Sequence, residues 1–484
     1  MITRRKLLQG AVLTAISAPF LTFQAKAATT VKVRRDVTKM HPDDPFFAKY
    51  ALAIKKMHKL PDTDPRNWRN QAIIHVQHCP HGMADFLEWH RFYITYFESI
   101  CAEMIGDANF ALPYWNWSNN QGLIPKPFFG KNSLNVEFLE DESNYTPVEP
   151  TRSDWGIITT VGTRNLTATK GLASDPRFSE IFSEQVINDI KSLTSYDQFH
   201  RQLEGSPHNT GHVLTGEQNG HMVDGLSSLD PIFWLHHCNV DRIWAEWQAA
   251  GNITTDNPMV YDQQFFDATG KAVNVKATDT HDYNALGFTY DSLDTLPMSM
   301  FNVNFPENKA LSTNLSTEKK LGSIKNTEVS SVNVVTQLRV KTPELIENLF
   351  QNRHFKATNF LSHPRTAIEA SRILAILKNV SYPKEDKTRI IVNVFINCPY
   401  LTPEIPSTDK HYAGSFAFFG QPMKDMKMGG EFIIDITDAV RYLTNEGLLL
   451  QESELNIQLM PLVINDNSPK DAKFKVGSVE ILRV

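Results

Sequence analysis

A chain of 484 residues with a net charge of −6 has no basic excess, so nucleic-acid binding is excluded as its main business. Its 41% hydrophobic and 21% charged residues are those of a globular protein with its own core, in roughly two or three domains by length. Four cysteines are too few for a disulfide scaffold, which small secreted domains use in place of a core.

The chain opens with a targeting pattern over residues 1–27. "TRRKLLQG" from Thr3 pairs Arg4 with Arg5, an apolar stretch follows to about Phe23, and Ala25-Lys26-Ala27 supplies a small-x-small cleavage site. The arginine pair favours twin-arginine export from a bacterial cytoplasm, to the periplasm or beyond, with an ordinary secretory signal as the alternative. The mature chain then begins near Ala28. Because that route moves folded proteins, a metal could be loaded before export. No later segment is long and apolar enough to span a membrane.

Gly82 to Met104 reads as a helix, because Phe86, Trp89, Tyr93, Tyr96, Phe97 and Ile100 recur at three- and four-residue spacing. Cys101 falls within the same spacing, as a core residue would. "PHNTGHVL" (207–214) opens with proline, which suits a first helical turn. "LDPIFWLHHCNVDRIWAEWQ" (229–248) opens with Asp-Pro and continues in helical period. This half predicts a mainly α domain, a four-helix bundle over 28–265. From Asn252 to Leu321 the chain is rich in Asn, Asp, Thr and Pro, and 266–326 reads as linker or irregular cover. Beyond Thr327 the pattern changes. "TRIIVNVFI" (388–396), "EFIIDI" (431–436), "LNIQLMPLV" (455–463) and "FKVGSVEILRV" (474–484) are β-branched runs between turn residues. They predict a β-sandwich over 327–484, with "DAVRYLTNEGLL" (438–449) as a short helix.

Eight of the sixteen histidines fall in two clusters: His75, His78, His81 and His90, then His208, His212, His236 and His237. His208 and His212 share one helix face, one turn apart. Alone, such a pair is as readily a surface or core pair as a metal site. His237 is followed four residues on by Asp241, a carboxylate that could take the second ring proton of a ligating histidine. His90 lies among Phe86, Trp89 and Phe92, where an unpaired imidazole would be costly to bury. Imidazole-only ligand sets suit copper and zinc. Two three-histidine groups on facing helices predict two metals close together. With so few carboxylates, the pair fits binding of a small diatomic better than hydrolysis.

"HGMADFLEWHRFYITYFE" (81–98) and "DPIFWLHHCNVDRIW" (230–244) resemble the two copper-site signatures of the tyrosinase, catechol oxidase and hemocyanin superfamily. "LPYWNW" (112–117) and "LEGSPHNTGH" (203–212) are similar to two further motifs of it. "YAGSF" (412–416), "NEGLLLQESELNIQLMP" and "FKVGSVEI" resemble the C-terminal shielding domain of plant polyphenol oxidases. Ile94 and the closeness of His75 to His81 depart from the family pattern.

The resemblance implies one copper on His75, His81 and His90 and a second on His208, His212 and His237. His75 is preferred to His78 for its spacing from Cys79, with His78 as the competing imidazole, and His236 packs locally. It further implies a thioether from Cys79 to His81, in a Cys-x-His spacing, where the alternative is a free thiol. The activity implied is oxidation of small phenols and o-diphenols to o-quinones by O2. Glu204 and Asn209 would hold a water that takes the phenol proton. The bland reading of Glu204 is a charge stabilised at a helix N-terminus. The C-terminal domain implies latency until it is displaced. The rival readings are a hemocyanin-like O2 carrier, an o-aminophenol oxidase on the same site, and a dizinc hydrolase, which the all-histidine set disfavours.

Overall fold

The computed structural model describes residues 31–141, 162–216, 218–293, 319–325, 329–342, 372–381, 389–419, 430–449, 454–464 and 473–484. The first half is helical: α1 (Pro45–His58), α2 (Trp68–His78), α3 (Phe86–Ile105), α4 (Val136–Asp141), α5 (Glu184–Lys191), α6 (Tyr196–Leu203), α7 (Asn209–Gly216) and α8 (Ile232–Ala249). Local chemistry sets several of these limits. Asp44 caps α1 by accepting the Phe46 N–H, with Pro45 in the first turn. Asn67 does the same for α2 through Arg69 N–H. Gly106, at φ +66°, ends α3 and returns its N–H to the Ala102 and Glu103 carbonyls. The targeting segment over 1–27 lies outside the described residues. Among the described residues no helix is long and apolar enough to cross a membrane.

Helices α3 and α8 form the spine. Phe97 stacks on Trp234 at 3.4 Å, and Tyr93 lies 4.6 Å from the same indole. A buried charge network pins the pair: Arg34 reaches Glu98 at 3.1 Å and Asp241 at 3.2 Å, and Arg91 and the Tyr290 hydroxyl also bond Asp241. Strand β1 (Lys32–Arg34) pairs in parallel with β4 (Phe288–Tyr290), which closes the chain back onto the helices. Between them, β2 (Val260–Phe266) and β3 (Ala272–Lys276) form a hairpin on the outer face of α3, bulged between Asp262 and Phe265. Gln264 there accepts the Trp89 indole N–H at 2.8 Å. The stretch beyond 265 therefore carries regular structure against the helices up to Tyr290, where composition suggested irregular cover.

Pro207 also departs from its expected place. It lies inside a π-helical turn, Glu204–His208, that joins α6 to α7, and not in a first α turn. Proline has no N–H to close an ordinary turn, and the wider turn removes the need for one.

The second half is a sandwich of two four-stranded sheets, ordered β10-β9-β12-β7 and β11-β8-β14-β5. Their strands are β5 (Lys319–Lys325), β7 (Thr336–Lys341), β8 (Ile373–Val380), β9 (Ile390–Ile396), β10 (Tyr412–Ala417), β11 (Gly430–Asp435), β12 (Glu454–Val463) and β14 (Ser478–Arg483). A side pair joins β6 (Val329–Ser331) to β13 (Lys473–Lys475), and α9 (Thr437–Asn445) follows β11. The edge strand β7 alternates buried and exposed residues, as a strand with one wet face should. Strand β9 is buried at every residue. One of its faces meets the opposite sheet, and Ile391 and Phe395 on the other join the apolar core of the helical half. The Ser407 N–H and the Asn393 side chain donate to the Pro176 and Arg177 carbonyls, each at 2.9 Å, and Arg372 reaches Asp189 at 3.1 Å.

Candidate metal centre

Four elements bring the histidines together. His75 sits in the last turn of α2, His90 in the first half of α3, His208 and His212 on the π turn and α7, and His236 and His237 on α8. His81 belongs to the loop between α2 and α3. Ligand atoms of His75, Cys79, His81 and His90 lie within 4.8 Å of one another, and so do those of His208, His212, His236 and His237. The groups adjoin: the His90 and His237 rings stack at 4.0 Å, and His81 lies 5.7 Å from His208. His78 is half-buried on α2 and stands outside both groups.

Ring orientation shows what the groups can bind. Nδ1 of His75 donates to the Gly225 carbonyl at 2.8 Å, that of His90 to Phe86 at 2.7 Å, and that of His212 to Met222 at 2.8 Å. Nδ1 of His208 donates to the Asn209 side-chain oxygen at 2.9 Å. Each bond fixes the tautomer and leaves Nε2 an acceptor, which in His90 lies 3.4 Å from the Cys79 sulfur. Nε2 of His75 and His208 is buried with no protein partner. Nε2 of His212 faces Nε2 of His237 at 3.4 Å. Orphaned buried acceptors cost about 1–3 kcal/mol each, and facing lone pairs repel, so a cation between them resolves both. Burial keeps the rings neutral, the form that binds metal: His75 is pushed down to about 4, His208 to about 3, and the others also fall well below the usual histidine range. An all-imidazole set with one adjacent thiol fits copper.

The Cys79 sulfur lies 3.2 Å from Nδ1 and 3.5 Å from Nε2 of His81, and 3.4 Å from Nε2 of His90. Burial raises its thiol pKa well above the ordinary value. His236 has both ring nitrogens buried without a partner. It packs 4.9 Å from Trp117 and 4.5 Å from His212, over Gly211, where a Cβ would fall 2.7 Å from its ring.

One expectation about a carboxylate fails, and so does the bland alternative for another. Asp241 is taken up by Arg34, Arg91 and Tyr290 and does not serve His237, because its oxygens point to the helix-pinning network. Glu204 is not a solvated charge at a helix N-terminus. It is buried where α6 widens into the π turn, accepts the Gly82 N–H at 2.6 Å, and is pushed up to about 8 by burial. Asn209 holds His208 through its oxygen, and its amide donates to the Ala417 carbonyl of β10 at 2.9 Å.

Sequence reasoning missed Phe419. It follows β10 and stacks on His212 at 3.7 Å, with its ring also 4.7 Å from His81 and 5.6 Å from His208. "YAGSF" marks the strand, but nothing in composition marks the residue three positions past it. The backbone carbonyls of Gly225 and Met222 were equally silent, since they carry no side-chain signal.

Two adjoining groups of imidazoles, set in a helical bundle and covered by a β-sandwich, form a candidate site for a pair of metal ions. Residues 52–250 match the common central domain of tyrosinase. The helical half of the chain is thus similar to the tyrosinases, and the relatives it matches include polyphenol and catechol oxidases. It is 29% identical to aureusidin synthase of Antirrhinum majus over 304 residues, which covers 55% of this chain and 53% of that one. It is 24% identical to a chloroplastic polyphenol oxidase of Malus domestica, covering 98% and 82%. Catechol oxidase B of Solanum tuberosum matches at 29%, covering 52% and 48%. Apart from the apple protein, the chain thus spans about half the length of these relatives. In fold, it resembles latent apple tyrosinase (TM-score 0.58, 20% identity, 96% and 99% covered) and a latent aurone synthase (0.60, 20%, 96% and 91%). An octopus hemocyanin unit also matches, at 0.53 and 19%, over 93% and 99%.

These relatives overturn the expected bacterial twin-arginine export. The matching polyphenol and catechol oxidases of apple, spinach and potato are chloroplastic, which points to a plant-type protein and away from a periplasmic one. The N-terminal pattern misled because residues 1–30 are basic and free of acids, a composition that transit peptides share.

Proposed function

We propose that the chain is a copper-dependent polyphenol oxidase that converts small phenols and o-diphenols to o-quinones with O2. One copper would be held by His75, His81 and His90 and its neighbour by His208, His212 and His237. Copper bound there would supply O2 activation and the two-electron oxidation of the phenol. The observation that carries this reading is the shared orientation of His75, His90, His208 and His212, each with Nδ1 tied to an oxygen, and with Nε2 of His75 and His208 buried without a partner.

The rest of the site suits that chemistry. Phe233 packs 4.4 Å from His237 and 5.0 Å from His75, and Phe86 4.6 Å from His90, so water is kept from the rings. Glu204, with a pKa near neutrality, and Asn209 flank the second group as a pair able to hold a water and take a phenol proton. The sulfur of Cys79 is placed to form the thioether to His81. We set the boundary of the dicopper unit after Leu293, beyond the 265 expected, because β4 pairs with β1, and read the strands from 319 onward as the shielding unit.

Latency follows from Phe419, whose ring fills the space over His212 that a phenol would need. The test is a copper-loaded assay of the full chain and of Phe419→Ala, with monophenol and diphenol under air. Quinone formation in the opened variant supports the reading, and its absence at full copper loading refutes it. O2 carriage is the second reading, favoured by the hemocyanin likeness in both halves. It predicts reversible O2 uptake without catechol turnover.

A further inference from the structure

The two histidine groups are joined by one contact that their rings do not make. Glu204 opens the π turn that carries His208, and its Oε1 accepts the backbone N–H of Gly82 at 2.6 Å. Gly82 is the residue after His81. One side chain therefore ties the loop of the first group to the turn of the second. The bond is sheltered, since Glu204 is only 5% exposed.

Both ends of this tie are fixed. On one side the Asn209 N–H closes onto the Glu204 carbonyl across the π turn, which sets the Glu204 backbone relative to His208. On the other, Gly82 has φ +74°, and nothing lies within 4 Å of where its Cβ would be. Glycine is not making room for a neighbour here. It permits the left-handed turn that aims its N–H at Glu204.

His81 needs such a tie more than its partners do. His75 and His90 stand on helices, each with Nδ1 held by a carbonyl. His81 stands on no helix, and its Nδ1 faces only the Cys79 sulfur.

We infer that Glu204 is a positioning residue for the metal pair: through Gly82 it sets where His81 stands relative to His208, and so how far apart the two coppers sit. This rests on the dicopper reading above. It is separate from any part Glu204 has in moving a proton. Positioning needs an acceptor oxygen at Oε1, whereas proton transfer needs an ionisable carboxyl. Glutamine keeps the first and lacks the second.

The test compares copper-loaded full-length parent, Glu204→Gln and Glu204→Ala by copper content and by electron paramagnetic resonance. Two close Cu(II) ions couple and are silent, and uncoupled ions give a signal. The parent and the Gln variant should bind two coppers and stay silent. The Ala variant should show uncoupled copper and hold one of its ions about tenfold more weakly. An Ala variant as silent and as tightly loaded as the parent overturns the inference, and so does a Gln variant that uncouples like Ala. If the Ala variant does not fold, Glu204→Asp, one methylene shorter, should uncouple the pair in its place, and a silent Asp variant counts against the tie. A parent chain that binds no copper pair refutes the dicopper reading itself, and shows it before any variant is made.

Discussion

The two histidine groups are built differently. The second rests on a continuous frame, the π turn running into α7 and packed against α8. The first is drawn from three pieces: the end of α2, a loop, and the first half of α3. Helices hold His75 and His90 by their own geometry, as they hold His208 and His212. The loop histidine, His81, is held by what surrounds it: the Cys79 sulfur, the Gly82–Glu204 bond and the Phe419 ring. A ligand on a helix needs one bond to fix its ring, and a ligand on a loop needs neighbours from elsewhere in the chain.

The largest expected effect is removal of a ring from either group. His90→Ala and His208→Ala should each abolish quinone formation, and metal analysis should find one copper per chain where the parent binds two. The groups should also lose metal separately. If either substitution empties both, the first and second groups are not independently built, and the contrast drawn above fails.

Next comes the network that holds the groups together. Asp241 is buried between Arg34 and Arg91, on the helix that carries His237. Asp241→Ala leaves the buried Arg91 without its carboxylate and Arg34 with Glu98 alone, and should destabilise the chain by about 3–5 kcal/mol in chemical denaturation. The buried rings add a pH dependence to the copper-free chain. Their folded pKa values, about 4 for His75 and about 3 for His208, lie below the ordinary histidine value. Between that value and about 4 the unfolded chain binds protons that the folded chain refuses. Stability is therefore full above roughly pH 6.5 and falls as the solution is acidified. Melting curves that stay flat from pH 7 to pH 5 would show the rings to be less buried than described.

How much of this was legible in the sequence follows the same division. The helices were legible because their apolar residues recur in period, and the sandwich because β-branched runs alternate with turns. The histidines on helices were legible by spacing. What sequence could not show is the set of long-range partners. Asp241 looked like a partner for His237 because the two are one turn apart, yet residues 34, 91 and 290 claimed it. For Glu204 the sequence offered a water-holding role or a helix-end charge, and could not show its bond to Gly82, 122 residues away. Phe419 is separated from His212 by most of the sandwich. Local patterns report local structure, and the tertiary partners of a loop ligand leave no periodic trace.

Phe419 touches both groups, so its removal sharpens the comparison between them. A cover that leaves the pocket open about 1% of the time lowers the apparent rate about a hundredfold. Phe419→Ala in the full chain should raise diphenol oxidation by something on the order of ten- to a hundredfold. Copper content should not change, because Phe419 offers no ligand atom. A rate unchanged by the substitution would mean that the sandwich blocks the site by another residue.

The smallest effect belongs to the first group alone. Cys79→Ser removes the sulfur that lies beside His81 and against Nε2 of His90, and leaves the ligands of the second group untouched. It should weaken the first copper by up to about tenfold, and leave the second as it was. Mass spectrometry of tryptic peptides gives the complementary reading, since a thioether lowers the mass of the Cys79–His81 peptide by two hydrogens relative to the free thiol. If serine costs the second copper as much as the first, the sulfur is acting on the whole site and not on the loop. If it costs neither, then Glu204 and Phe419 hold His81 without help, and the loop ligand is less dependent on its cysteine than the close approach of Sγ to both ring nitrogens indicates.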